Sequence, residues 1–243
     1  MKKRKKNSFP VKPALLLGAA ALLLLSSTVG STRAALTYYS ENYAAQIEMS
    51  SIGVALLENK AEVSGQNYGD NATTTGTLLK NMLSDGEKFT PGKPYDEALS
   101  VRNTGDIDTF VRVIITKSWQ DAEGKDTTLA PSLIDLNILE NTGWVVDDST
   151  DYSDERIVLY YTQALAPGEE TEALSDTIRI EPEIAQSVTV GEDGKYEYVY
   201  NGYSFHLEAE VDAVQMHNAE DAIKSAWGVD VTVSDDGRAI TLN

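Results

Sequence analysis

The chain has 243 residues, with 38 Asp and Glu against 20 Lys and Arg, two histidines and no cysteine. A formal charge of −18 opposes binding to nucleic acid or to an anionic membrane surface. The lack of thiols excludes disulfides, thiolate metal sites and cysteine nucleophiles, so stability has to come from packing.

The first element is an address. MKKRKK is followed by an apolar run, 14–25, broken only by Gly18, and then by SSTVGSTRAA. These are the three regions of a secretory signal. Residues 1–35 hold seven bases and no acid, which leaves 13 bases against all 38 acids in 36–243. As a helix the apolar run would cover about 18 Å of a hydrocarbon core of roughly 30 Å. Cleavage near Ala34 or Ala35 is therefore expected rather than a lasting anchor, with no stable membrane span after it and an extracellular destination. Residues 36–243 contain no linker-like or repeated stretch and read as a single domain.

The new terminus, LTYYSENYAAQIEMSS, is strand-capable. Residues 36–50 are either an edge strand of their own sheet or an exchangeable strand given to another copy, with a phase slip between Met49 and Ile52 as the hinge. Strands are expected near 47–57 and 95–103. Val111, Val113, Ile115 and Trp119 mark one face of the next strand, and Ile157, Leu159, Tyr161 and Leu165 mark another. Further strands are expected near 171–180 and 196–200. The longest alternation is Tyr203, Phe205, Leu207, Ala209, Val211 and Ala213, interleaved with polar residues, which describes a half-buried strand. Strands near 229–233 and 238–242 close the chain.

Asp193-Gly194, Asn201-Gly202 and Asp236-Gly237 are hairpin signals, and Pro91-Gly92 is a turn. The block around Gly105 reads as a hairpin loop, with Arg112 either pairing with a carboxylate or reaching the sheet edge. One helix is expected after Asn218, capped by that residue, with Ala219, Ile223, Ala226 and Trp227 on one face and Gly228 as its stop. The pattern is all-β: an antiparallel two-sheet sandwich of jelly-roll or Greek-key type with one short helix, preceded by a signal peptide.

Catalytic groups are sparse. His206 and His217 are not in an H-E-x-x-H pair, and no G-x-S-x-G elbow occurs. Close carboxylates are expected from composition alone, so no acid–base pair stands out. The densest acidic stretch is DDSTDYSDE, with Asp147, Asp148, Asp151, Asp154 and Glu155 in one loop. Such oxygens suit calcium, although their spacing does not follow the EF-hand loop. The loop is either a divalent-cation site or a solvated acidic surface.

The leader ending in GSTRAA, the Pro91-Gly92 turn and then LSVRNTGDIDTFVRVIITKSW together resemble the TasA/camelysin (CalY) group of Gram-positive proteins. ERIVLYYTQALAPGE supports the likeness more weakly. The resemblance implies export through a signal peptidase of the SipW type, a jelly-roll fold, and a non-enzymatic structural or interaction role at the cell surface or in the biofilm matrix. Self-association into fibres, or association with related matrix proteins, would follow. The alternatives from other classes are a calcium-dependent surface-binding module and a secreted metal-dependent hydrolase. The last residues, ITLN, carry no apolar or basic tail, so retention at the surface is expected to come from association.

Overall fold

The computed structural model describes residues 51–69, 72–151, 154–190, 196–200 and 202–243, with 196–198 given by backbone alone. Contacts divide the chain into Met1–Glu48 and Met49–Asn243, and every described residue belongs to the second unit. The expected leader, the segment 36–50 and the turn residues Asp193 and Gly194 lie outside the described residues.

In chain order the strands are β1 (Gly53–Glu58), β2 (Ala61–Asn67), β3 (Ala72–Thr74), β4 (Tyr95–Asp96), β5 (Leu99–Asn103), β6 (Thr109–Asp121) and β7 (Gly124–Asp126). They continue as β8 (Ile134–Ile138), β9 (Trp144–Val146), β10 (Arg156–Tyr161), β11 (Ser175–Ile180), β12 (Val188–Val190), β13 (Tyr196–Tyr198), β14 (Ser204–Gln215), β15 (Val231–Val233) and β16 (Ile240–Leu242). A single helical turn, α1, covers Glu183–Gln186, and a nine-residue helix, α2, covers Ala219–Trp227.

Every described strand pair is antiparallel. One sheet runs β3-β2-β1-β5 and a second runs β14-β6-β10-β9, with β7 on the end of β6. A third, β4-β11-β8, extends the first. The stretch before β11 bonds along β5, with the Thr171 and Leu174 amides donating to Val101 and Leu99 carbonyls at 2.8 Å. Val54, Leu56, Leu99 and Ile178 from this side meet Val113, Ile115, Leu159 and Leu207 from β6, β10 and β14 in one buried cluster. The architecture is all-β and sandwich-like.

β6 is buried on both faces. Its odd residues enter the shared core, while Phe110 and Ile114 point the other way, under α2 and the β15–β16 hairpin. Ile223, Val231 and Ile240 supply that outer layer. Arg112, also on this face, pairs with Asp212 directly across on β14, Nε to Oδ2 at 2.7 Å. Its guanidinium lies 5.4 Å from the Trp227 ring centre.

Several local expectations change. The block at Asn103 to Phe110 is no hairpin loop, because β5 pairs with β1 and β6 with β10 and β14; the chain crosses between sheets. Asn103, fully buried, is the post of that corner. Its amide donates to the Ile107 and Leu165 carbonyls, and its oxygen accepts from the Gly105 amide. The backbones of Gly53 and Gly105 approach so closely there that a Cβ on Gly105 would lie 2.5 Å from the Ser51 carbonyl.

Tyr200 to Tyr203 is a turn, with the Tyr203 amide on the Tyr200 carbonyl at 3.3 Å, but it joins different sheets rather than a hairpin. The β15–β16 hairpin forms as expected around Gly237, whose φ is +74°. Asn218 precedes the helix in a left-handed conformation without a side-chain cap, and Ala226 is exposed while Ala222 packs inward. Gly228 ends the helix in the left-handed region, its amide on the Lys224 carbonyl.

Candidate interaction groove

β14 is twelve residues long and pairs with β6 along its length, from Ser204↔Gln120 to Gln215↔Thr109. Antiparallel alternation turns half of its backbone groups toward β6 and the other half outward. Among the described residues no strand pairs with that outer edge. The side chains register the gap. Phe205, Ala209, Val211 and Ala213 face the core but are only partly buried, whereas Val111, Val113 and Ile115 on β6 have no exposure.

Opposite this edge stand β2 and β3, so the two sheets gape there. One hollow of about 220 Å³ lies between Val54, Gly65 and Thr74 on one side and Ala209 and Val211 on the other. A second, about 550 Å³, lies between Val63, Gly76 and Leu79 on one side and Phe205 and Leu207 on the other. They share Leu56, Ser64, Thr75 and Ala209, and so form one groove along β14. Gly76 is required by close approach: a Cβ there would sit 2.0 Å from the Val63 carbonyl. Beyond Phe205 the groove meets a pocket of about 370 Å³ walled by Phe89, Trp119, Tyr200 and Tyr203. Phe205 contacts Phe89 at 5.5 Å and Trp119 at 6.2 Å between ring centres, which fixes that wall. At the other end the Tyr68 hydroxyl meets the Ala213 backbone, and burial, then Asp212, raise its pKa.

A pair of acids sits under the groove's rim. Tyr95, Glu97, Leu99 and Val101 alternate on the inward face, so period two carries Glu97 into the core, where it is 1 % exposed. Its Oε1 has no partner among the described residues. Burial, and then the neighbouring Glu58, push its pKa up to about 8.

The acidic loop is engaged piecemeal. Asp147 accepts from the Ser149 amide at 2.8 Å and from the Tyr160 hydroxyl at 3.2 Å. Burial opposes its charge, yet the Ser149 and Tyr160 hydrogen bonds hold the carboxyl below its usual range. Asp148 is exposed. Asp154 accepts from the Asp151 amide at 2.8 Å, and Glu155 pairs with Lys125. Burial lowers the pKa of Lys117, which is 1 % exposed, against the pull of Asp135, Asp154 and Asp151. Part of the loop's negative charge therefore acts on a cation the chain itself supplies. Among the described residues no group of three or more His, Asp or Glu is placed to hold a metal ion.

His206 is on the polar side of β14, its Nε2 3.5 Å from the Ser204 hydroxyl, and His217 is exposed before α2. These sites are separate. The alternation of 203–213 describes a half-buried strand, but nothing in it marks a bare edge, since edge pairing depends on where other strands such as β2 and β3, which are largely polar, are placed. The inward phase of Glu97 was legible from Tyr95 and Leu99.

The chain matches no family model and no curated protein.

Proposed function

We propose that this chain is an exported structural or interaction protein of the cell surface or biofilm matrix, of the TasA/camelysin kind and jelly-roll topology. After its leader is cut near residue 35, segment 36–50 of one copy lies along β14 of the next and completes its sheet. The observation that carries this reading is the outer edge of β14, which no strand among the described residues pairs with, beside a groove whose β14 wall carries Phe205, Leu207, Ala209 and Val211. Fifteen extended residues reach about 50 Å, and the twelve of β14 about 40 Å, so the segment is long enough. Backbone bonds to the β14 edge would supply affinity, and Tyr39, Tyr43, Ile47 and Met49, which share one face of an extended segment, would supply side chains for the hollows. A head-to-tail contact of this kind does not close on itself and propagates into a filament. No catalytic step is assigned to any residue in this reading.

The test is deletion of 36–50 from the processed protein, followed by electron microscopy. Loss of filaments that the undeleted protein forms is the expected result, and fibres of unchanged number and width would overturn the mechanism.

A further inference from the structure

The rim of the groove has a fastening. Residues 76–89 form a turn-rich strap without strand or helix. Its Leu78, Leu79, Met82, Leu83 and Phe89 pack on the shared core and line the groove and the aromatic pocket. Leu79 has a φ of +62°, a strained conformation for a leucine. Its amide donates to Glu58 Oε1 at the end of β1. Glu58 lies directly across from Leu99 on β5, so its side chain is on the same face as Glu97, one inward position along, and Glu97 Oε1 has no partner among the described residues.

Two neighbouring carboxyl groups, one of them buried, do not both ionise easily, and burial, then the neighbouring Glu58, favour the protonated form of Glu97. The charges on the elements packed around the pair are committed or exposed. Lys60 pairs with Glu170 at 2.9 Å, and Arg102 faces the same Glu170 at 3.7 Å. Asp176 accepts from Asn137, and Glu87 pairs with Lys93. Glu62, Lys80, Asp85 and Asp96 are exposed. Glu58 is the charged side chain that acts on Glu97.

We propose that the Glu58–Glu97 pair is a proton-operated latch: while Glu97 keeps its proton, Glu58 stays in place and holds the Leu79 amide and the strap closed, and loss of that proton to solvent sets a second carboxylate against Glu58, displaces it, frees the strap and widens the groove. The sign follows from the raised pKa of Glu97. The folded chain retains a proton that the unfolded chain gives up near its ordinary value of 4.5, so the closed state is favoured at low pH and is lost as pH rises through about 8. Control of groove access by the latch rests on the assembly reading above; the latch itself does not.

Amide exchange of the 76–89 peptide in the full chain tests it, measured by mass spectrometry at about pH 6 and about pH 9 and corrected for intrinsic exchange. Protection of that peptide is expected to fall about tenfold at the higher pH, while peptides from β6 stay unchanged. Glu97→Gln, neutral at both values, should give a flat profile, and Glu58→Gln serves the same purpose if the first variant does not fold. Equal protection at both pH values in the wild-type chain overturns the proposal, as does a variant that keeps the wild-type response. Protection restored at the higher pH by calcium would make the pair a cation bridge and also overturn it. Filaments are scored separately by microscopy: failure of the latch leaves them intact, and failure of assembly leaves the exchange profile intact.

Discussion

β6 and β14 lie side by side, bonded rung for rung, and both carry apolar residues at every second position toward the core. Their surroundings differ. β6 has β10 on one edge and β14 on the other, the shared core on one face and the α2 layer on the second. β14 has β6 on one edge and, among the described residues, an open groove along the other. The alternation determines which face of a strand turns inward, but the enclosure of that face depends on neighbours that come from distant parts of the chain. A long apolar edge left bare is a template for another strand.

The largest expected effect is at the corner that delivers the chain into β6. Asn103→Ala removes two donated bonds and one accepted bond at a fully buried position; the Leu165 carbonyl keeps the Thr109 amide and the Gly105 amide keeps the Gly53 carbonyl, while the Ile107 carbonyl loses its Asn103 donor. The loss should be about 3 kcal/mol in urea unfolding, felt by β5 and β6 together. A loss below about 0.5 kcal/mol would mean that water replaces the side chain.

Next comes the comparison in its plainest form, since Val113 on β6 and Val211 on β14 are partners on one rung. Val113 has no exposure, and Val113→Ala should cost about 2 kcal/mol. Val211 is only partly buried, so Val211→Ala should cost less than about 1 kcal/mol in the dispersed protein. Equal costs would show that the edge of β14 is covered in solution. In assembled fibres the Val211 substitution should acquire a penalty that it lacks in dispersed protein, measurable as a lower dissociation midpoint.

How much of this was legible follows from the same residues. Strands whose inward face is strongly apolar, such as 111–119 and 203–213, were readable because period two survives any change of neighbour. β2 and β3 were missed because Ala61 to Thr74 is polar, Gly- and Thr-containing and held mainly by backbone bonds. The Asn103 block was readable as a bend but not as a crossover. Both a hairpin and a crossover need the same turn residues, and only the partners of β5 and β6 separate them. The acidic loop is conspicuous by composition, whereas Glu97 directly follows the short strand β4, beside Asp96, and its partner Glu58 is distant in the sequence, so nothing local marks the pair.

A smaller effect than that of Val113 joins the two strands on their outer face. Arg112 and Asp212 are directly opposite, with side chains 16 % and 26 % exposed, so their bond is screened less than those of the surface ion pairs. The guanidinium also lies over Trp227, and Tyr160 packs against the same ring at 5.7 Å. Arg112→Ala should therefore cost about 1 kcal/mol, part charge-assisted bond and part stacking. Arg112→Lys should recover less than half of it, because an ammonium can answer Asp212 but cannot present a flat face to the indole. If lysine restores full stability, the contact with Trp227 contributes nothing and the outer layer is held by Ile223, Val231 and Ile240 alone. If neither substitution moves the urea midpoint, β14 is held to β6 by its backbone ladder, and its outward charges are free to serve whatever meets that edge.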